Sequence, residues 1–183
     1  MRVIVAITGA SGCMISLRLL QELHNRVEVH LILSSASLQI LRQECNVEVD
    51  ELRNMATRIY RDDKLNESIA SGTFKFDTLV IVPASTNTVA KIACGISDNL
   101  ITRVAAVALK ERRKVILVPR ETPMSTVLLK KLYELSLLGV IIIPPVPAFY
   151  LKPKSVSDIV DYIVGKILDH MGLEHNLYSP YEP

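Results

Sequence analysis

Arg2-Val-Ile-Val-Ala-Ile-Thr-Gly-Ala-Ser-Gly12 opens the chain with an apolar run that passes through two glycines into a segment of helical period. A run this short and this uniformly apolar reads as a strand buried on both faces, the mark of a parallel sheet covered by helices. Runs of the same kind, rich in Val, Ile and Leu, return at 27–33, 78–82, 114–118 and 140–143. Helical periodicity fills the intervals at 13–23, 35–43, 86–93, 99–112 and 124–138, the last closing at Gly139. Alternation of strand and helix predicts right-handed crossovers. The expected fold is therefore a three-layer α/β/α sandwich around a doubly wound, mostly parallel sheet of the Rossmann or flavodoxin-like kind. The polar stretch 46–76 reads as short helices and loops with an edge strand near 57–60. Four prolines, at 144, 145, 147 and 153, predict an extended connection before a final amphipathic helix at 155–171. Residues 1–183 are read as one domain, with 172–183 a tail expected to pack on a neighbouring subunit.

Composition narrows the function. The 183 residues are 49% hydrophobic with no Trp, and the mean hydropathy of +0.29 points to buried sheet or subunit contacts. A formal charge of +2 gives no footing for nucleic acid. The densest basic cluster, Lys110, Arg112, Arg113 and Lys114, falls at a helix end, where it complements the helix dipole. Cys13, Cys45 and Cys94 are far apart and offer neither a disulfide framework nor a CxxC motif, which makes a reducing cytoplasm the simplest compartment. No apolar run approaches the roughly 18 residues of a membrane span, and 3–7 is too short for the core of a signal peptide. Histidines 24, 30, 170 and 175 lack metal-ligand spacing, so no metal site is expected.

In open α/β sheets ligands bind at the carboxyl ends of the strands. The first strand delivers Thr8-Gly-Ala-Ser-Gly12 to a helix N-terminus, an arrangement that offers backbone N–H groups to a phosphate. The second ends Leu33-Ser34-Ser35-Ala36-Ser37, without the acidic residue that holds the ribose in NAD-binding domains, which argues against a dehydrogenase. The third leaves through Val82-Pro-Ala-Ser-Thr-Asn-Thr88 and the fourth through Leu117-Val-Pro-Arg-Glu-Thr-Pro123. Helix capping accounts for each serine singly. Together with Arg120 they suggest a cradle for a phosphorylated cofactor carrying a large flat ring. Arg103, Lys110 and Arg120 supply more cations than one flavin phosphate uses, which suggests a second anion. Glu44 and Glu121 are candidate acids or bases, while Tyr150 and Lys166 read equally well as surface.

The segments Gly9-Ala-Ser-Gly12, Pro83-Ala-Ser-Thr-Asn-Thr88, Asp98-Asn-Leu-Ile101, Ala108-Leu-Lys-Glu-Arg-Arg113, Leu117-Val-Pro-Arg-Glu-Thr-Pro123 and Pro144-Pro-Val-Pro-Ala-Phe-Tyr150 closely resemble the UbiX-type flavin prenyltransferases. The resemblance spans nearly the whole chain. It implies an enzyme that joins a dimethylallyl group from dimethylallyl monophosphate to N5 and C6 of reduced FMN, making prenylated FMN for a UbiD-type decarboxylase. It also implies a flavin site of Gly9, Ala10, Ser11, Ser34, Ser85, Thr86, Asn87, Thr88 and Arg120. Arg103, Lys110, Tyr150 and Lys166 would surround the prenyl phosphate, and Glu44, Glu121 and Ser11 would serve catalysis. The family assembles as dodecamers. Cations and hydroxyl donors on the departing phosphate meet the needs of allylic ionisation, so no metal ion is required. Ala84 replaces a cysteine common in the family and Lys166 an arginine, which keeps the charge but loses the bidentate fork.

Two rivals share the fold. A cysteine decarboxylase of the phosphopantothenoylcysteine type uses a histidine base and a PxMNxxM motif, whereas this chain has no histidine between 31 and 169 and reads Pro119-Arg-Glu-Thr-Pro-Met124. A non-catalytic flavin carrier would have no use for Glu44, Lys110, Glu121 and Tyr150 together.

Overall fold

The computed structural model describes residues 1–179. Six strands, β1 (Arg2–Ile7), β2 (Glu28–Leu33), β3 (Arg58–Arg61), β4 (Thr78–Ala84), β5 (Lys114–Pro119) and β6 (Ile141–Ile142), form one sheet in the order β3-β2-β1-β4-β5-β6. Every pairing is parallel, and the order is the Rossmann one. Successive side chains of a strand point to opposite faces, and the apolar runs divide accordingly. Val3, Val5 and Ile7 join Leu31, Leu33 and Val80 beneath α1 (Cys13–Leu23), α2 (Ser35–Cys45) and α7 (Val156–Met171). Ile4 and Ala6 join Ile32, Leu79 and Ile81 beneath α4 (Thr86–Ala93), α5 (Leu100–Lys110) and α6 (Thr126–Leu137). With helices on both faces, the strands have no polar side to show, which is why they read as continuous rather than alternating apolar runs.

Element ends follow local chemistry. α5 stops at Lys110, two residues short of the expected end, because Arg112 turns into the left-handed region at φ 54°. α6 begins only after Ser125, whose hydroxyl accepts from Leu128 N at 3.2 Å. β6 is cut to two residues where Pro144 and Pro145 remove donors from the ladder. The polar stretch holds a four-residue helix, α3 (Val49–Leu52), two 3₁₀ turns and the edge strand β3. The Val82–Pro83 and Thr122–Pro123 peptides are cis.

One expectation is corrected. Cys13 and Cys45 form a disulfide. They are 32 residues apart in sequence, but one begins α1 and the other ends α2, and those two helix ends meet. The tail through Ser179 packs on its own α7: His175 and Tyr178 both bond Asp169, and the Tyr178 ring lies 5.2 Å from that of Tyr162. A Cβ on Gly165 would come within 2.5 Å of the Tyr178 ring, so the seat exists because that position has no side chain. Tyr181 and the rest of 180–183 lie outside the described residues.

A Cβ on Gly9 would stand 2.4 Å from the Cβ of Ala36, so the first loop and the start of α2 touch backbone to side chain. Gly9→Ala is expected to lower the unfolding free energy by about 1–3 kcal/mol, the usual cost of overpacking. Chemical denaturation measures it, and a wild-type midpoint would show that α2 does not press on this turn.

Candidate active site

Strand order reverses at β1, which has β2 on one side and β4 on the other, so a crevice opens outside their carboxyl ends. Thr8, 1% exposed, spans that crevice. Its hydroxyl donates to Pro83 O at 2.7 Å and accepts from Ser85 N at 2.8 Å. Ser34 N donates to Ile7 O at 3.1 Å and Arg120 N to Ala84 O at 3.3 Å. The exits of β2, β1, β4 and β5 are thus tied in one row, and Gly9, Ala10 and Ser11 turn beneath it, with Ala10 N donating to Thr8 O at 2.9 Å.

The hydroxyl-rich exits are helix caps. Ser34 Oγ accepts from Ser37 N at 3.0 Å and Ser85 Oγ from Thr88 N at 3.3 Å, with Thr88 Oγ1 3.0 Å from Ser85 Oγ. A hydroxyl that accepts a capping bond still carries a proton to donate. The cap therefore fixes each serine at the crevice without exhausting it. Ser34 and Thr88 are buried, while Thr86 and Asn87 hold the first two positions of α4, whose N–H groups helix geometry leaves without intrahelical partners.

The N-terminus of α1 is used differently from the phosphate role its glycines suggest. Glu44 reaches across from α2, and its Oε2 accepts from Gly12 N at 2.9 Å. Burial pushes the Glu44 pKa up, but the Ser11 hydroxyl, the Gly12 and Cys13 N–H groups and the charge of Arg120 outweigh it, leaving the carboxyl below its ordinary range. Glu121 follows Arg120, half-buried, and its Oε1 accepts from Thr122 N at 3.1 Å. Glu44, Ser11, Arg120 and Glu121 therefore share the carboxyl edge of the sheet.

The four residues expected around a prenyl phosphate do not join them within one chain. Lys110 ends α5 four residues before β5 begins, pairs with Glu111 and lies beside Gly72 at the amino edge. The length of β5 puts it roughly 20 Å from Arg120. Arg103, two turns earlier on α5, donates from Nε to Ala70 O at 3.3 Å. Tyr150 follows the proline segment and hydrogen-bonds Tyr162 on α7. Lys166 lies one turn beyond Tyr162, 3.1 Å from Asp169 Oδ2, and its pKa is raised chiefly by that bond. Tyr150 and Lys166 thus share one cluster on α7, apart from Arg103 and Lys110 on α5.

Sequence reasoning missed three features. Thr8 was visible as the polar residue closing an apolar strand, yet its bridging role depends on β4 lying beside β1. Asp169 and Tyr178 as partners of Lys166, and the disulfide beside Glu44, carry no local signal.

Thr8→Val would leave Ser85 N without its partner in a buried place, while Pro83 O keeps the Thr8 backbone N–H at 3.3 Å. A loss of about 1–3 kcal/mol is expected, measured by denaturant unfolding. The Glu44 carboxyl should titrate below the ordinary glutamate range of about 4.3 in ¹³C-carboxyl NMR. Because its folded pKa is depressed, the stability it contributes relative to Glu44→Gln is complete above that range and disappears as pH falls through the folded pKa. A difference between the two proteins that is independent of pH would contradict this environment.

The chain is similar to proteins of known name along its whole length. The flavoprotein family matches residues 1–168. The flavin prenyltransferase UbiX of Methanocaldococcus jannaschii is 46% identical over 179 residues, covering 98% of this chain and 97% of that protein. The dodecameric FMN-dependent UbiX-like decarboxylase of Escherichia coli O157:H7 superposes with a TM-score of 0.97 at 38% identity, with both chains fully covered. The crystal structure of AnUbiX (PadA1) in complex with FMN and dimethylallyl pyrophosphate superposes with a TM-score of 0.96 at 37% identity, covering 100% of this chain and 97% of that one. With this sheet order, this crevice and these relatives, the chain belongs to the flavoprotein family and, within it, to the UbiX-type flavin prenyltransferases.

Proposed function

We propose that this chain transfers the dimethylallyl group of dimethylallyl monophosphate to N5 and C6 of reduced FMN, and that Glu44 is the proton acceptor. The observation that carries this reading is the placement of Glu44. A carboxylate held in its charged form by Ser11, Gly12 and Cys13, beside the cation of Arg120, stands at the switch-point crevice where α/β sheets bind phosphorylated ligands. A base at this position is ionised at neutral pH, as proton removal requires.

The residues present fit a flavin mononucleotide. Gly9 lets the first loop pass close against α2, the Ser34 hydroxyl and the Ser85–Thr88 hydroxyl pair have hydrogen-bonding capacity left at the crevice, and Thr86, Asn87 and Thr88 open a helix N-terminus beside Arg120. Gly9, Ala10, Ser11, Ser34, Ser85, Thr86, Asn87, Thr88 and Arg120 hold the flavin, which when reduced supplies the two nucleophilic atoms. Arg120 and Glu121 mark the side from which the prenyl donor enters. Arg103, Lys110, Tyr150 and Lys166 bind its phosphate from neighbouring subunits, since one chain keeps them in separate patches. The exposed apolar side chains Val127, Tyr133, Leu137, Leu138 and Phe149 support burial in an assembly, and the E. coli relative is dodecameric. The product serves a UbiD-type decarboxylase. Among the described residues no helix is long and apolar enough to cross a membrane.

Anaerobic incubation with reduced FMN and dimethylallyl monophosphate or diphosphate, followed by mass spectrometry of the extracted flavin, should show the gain of one C5 unit with the monophosphate. Unmodified FMN, bound but unchanged with both donors, would refute prenyl transfer. Glu44→Gln should bind FMN normally and turn over about 10²–10⁴-fold more slowly, the range for loss of a general base.

A further inference from the structure

The disulfide lies immediately beside the proposed base. Cys45 follows Glu44 on α2, Cys13 follows Gly12, and Cys13 Sγ is 3.6 Å from Glu44 Oε2. Besides the disulfide, this end of α2 is held by partly buried Ile40 and Cys45 against the core and by the exposed Arg42–Glu48 ion pair. Ser37 and Leu41 are its only fully buried residues, Arg42, Gln43 and Glu44 are exposed, and the helix ends at Asn46 in the left-handed region. Cys45 also lines a cavity of about 370 Å³ with Glu44, Met14, Leu17 and Arg18, so small thiols can reach it. The charged groups around Glu44 are Arg120, just beyond β5, and, across that cavity, Arg18, which is held by Asp161 and Glu22.

We propose that the Cys13–Cys45 disulfide positions Glu44 on the Ser11–Gly12 turn, and that its reduction loosens the end of α2 and slows turnover. Both cysteines are positioning residues, acting through Glu44. The step takes two electrons and two protons from a dithiol such as dithiothreitol, which closes to its own disulfide and leaves two thiols on the protein. The inference rests on Glu44 serving as the base of prenyl transfer.

The test compares the full-length protein before and after dithiothreitol, together with Cys45→Ser. Alkylation followed by intact mass should count one thiol, Cys94, before reduction and three after. Three thiols in the untreated protein would overturn the proposal. ¹³C-carboxyl NMR should show the Glu44 titration moving up toward the ordinary glutamate range on reduction and in Cys45→Ser, and an unmoved titration in both would also overturn it. Turnover should fall roughly ten- to a hundredfold, the scale of a displaced reacting group, with the KM for reduced FMN unchanged. Unchanged turnover after full reduction counts against it. A shifted Glu44 titration in a protein that prenylates nothing in either state supports the positioning and refutes prenyl transfer instead.

Discussion

One buried hydroxyl connects the two strands on which the site depends. β1 and β4 are adjacent where the strand order turns, and Thr8 gives a proton to one backbone group of the β4 exit and takes one from another. Its two bonds fix the separation of the first loop and the start of α4, and those segments supply both sides of the flavin crevice. Backbone bonds from Ser34 and Arg120 extend the same row outward to β2 and β5. A sheet whose strands are held by backbone ladders and apolar packing thus has a buried side-chain bridge at the centre of its polar edge. Displacing Thr8 would move residues on both sides of the crevice.

The N-terminus of α1 is occupied by a carboxylate of the chain itself. A helix N-terminus attracts negative charge through its free N–H groups and its dipole. Here the negative charge is supplied by the protein itself, from Glu44. The proposed seat of the flavin phosphate is the other N-terminus, at α4, where Ser85 caps and the Arg120 backbone pairs with Ala84. Of the two helix starts on neighbouring strands, one is taken by a carboxylate of the chain and the other, on the proposed reading, by the ligand.

Most of the fold was legible because burial on both sides writes a strand as an unbroken run of Val, Ile and Leu. The bounds of α1 and α4 and the starts of β1, β4 and β5 fall where periodicity places them. The carboxyl-edge loops were legible as well, since Ser, Thr, Gly and Arg at the exits of buried strands have few structural reasons to cluster. What stayed hidden depends on packing between distant segments. Nothing local to Cys13 or Cys45 says that the start of α1 meets the end of α2. Lys110 offered a signal that went unused: a residue four positions before a strand lies at the amino edge, away from Arg120. His175 and Tyr178 find their seat only because Gly165 lacks a side chain, a fit invisible from the tail alone.

The partners of Thr8 come 75 and 77 residues later in the chain. Contacts of such long range form late, after loop closure has been met. During synthesis the first loop and β1 are made well before β4, and in that interval one edge of β1 offers unpaired N–H and C=O groups flanked by Val3, Ile4 and Val5. An apolar strand edge of this kind invites pairing with other chains. The central position that gives β1 two neighbours in the finished protein therefore makes it the segment most in need of shielding on the nascent chain, until residues 78–84 have left the ribosome.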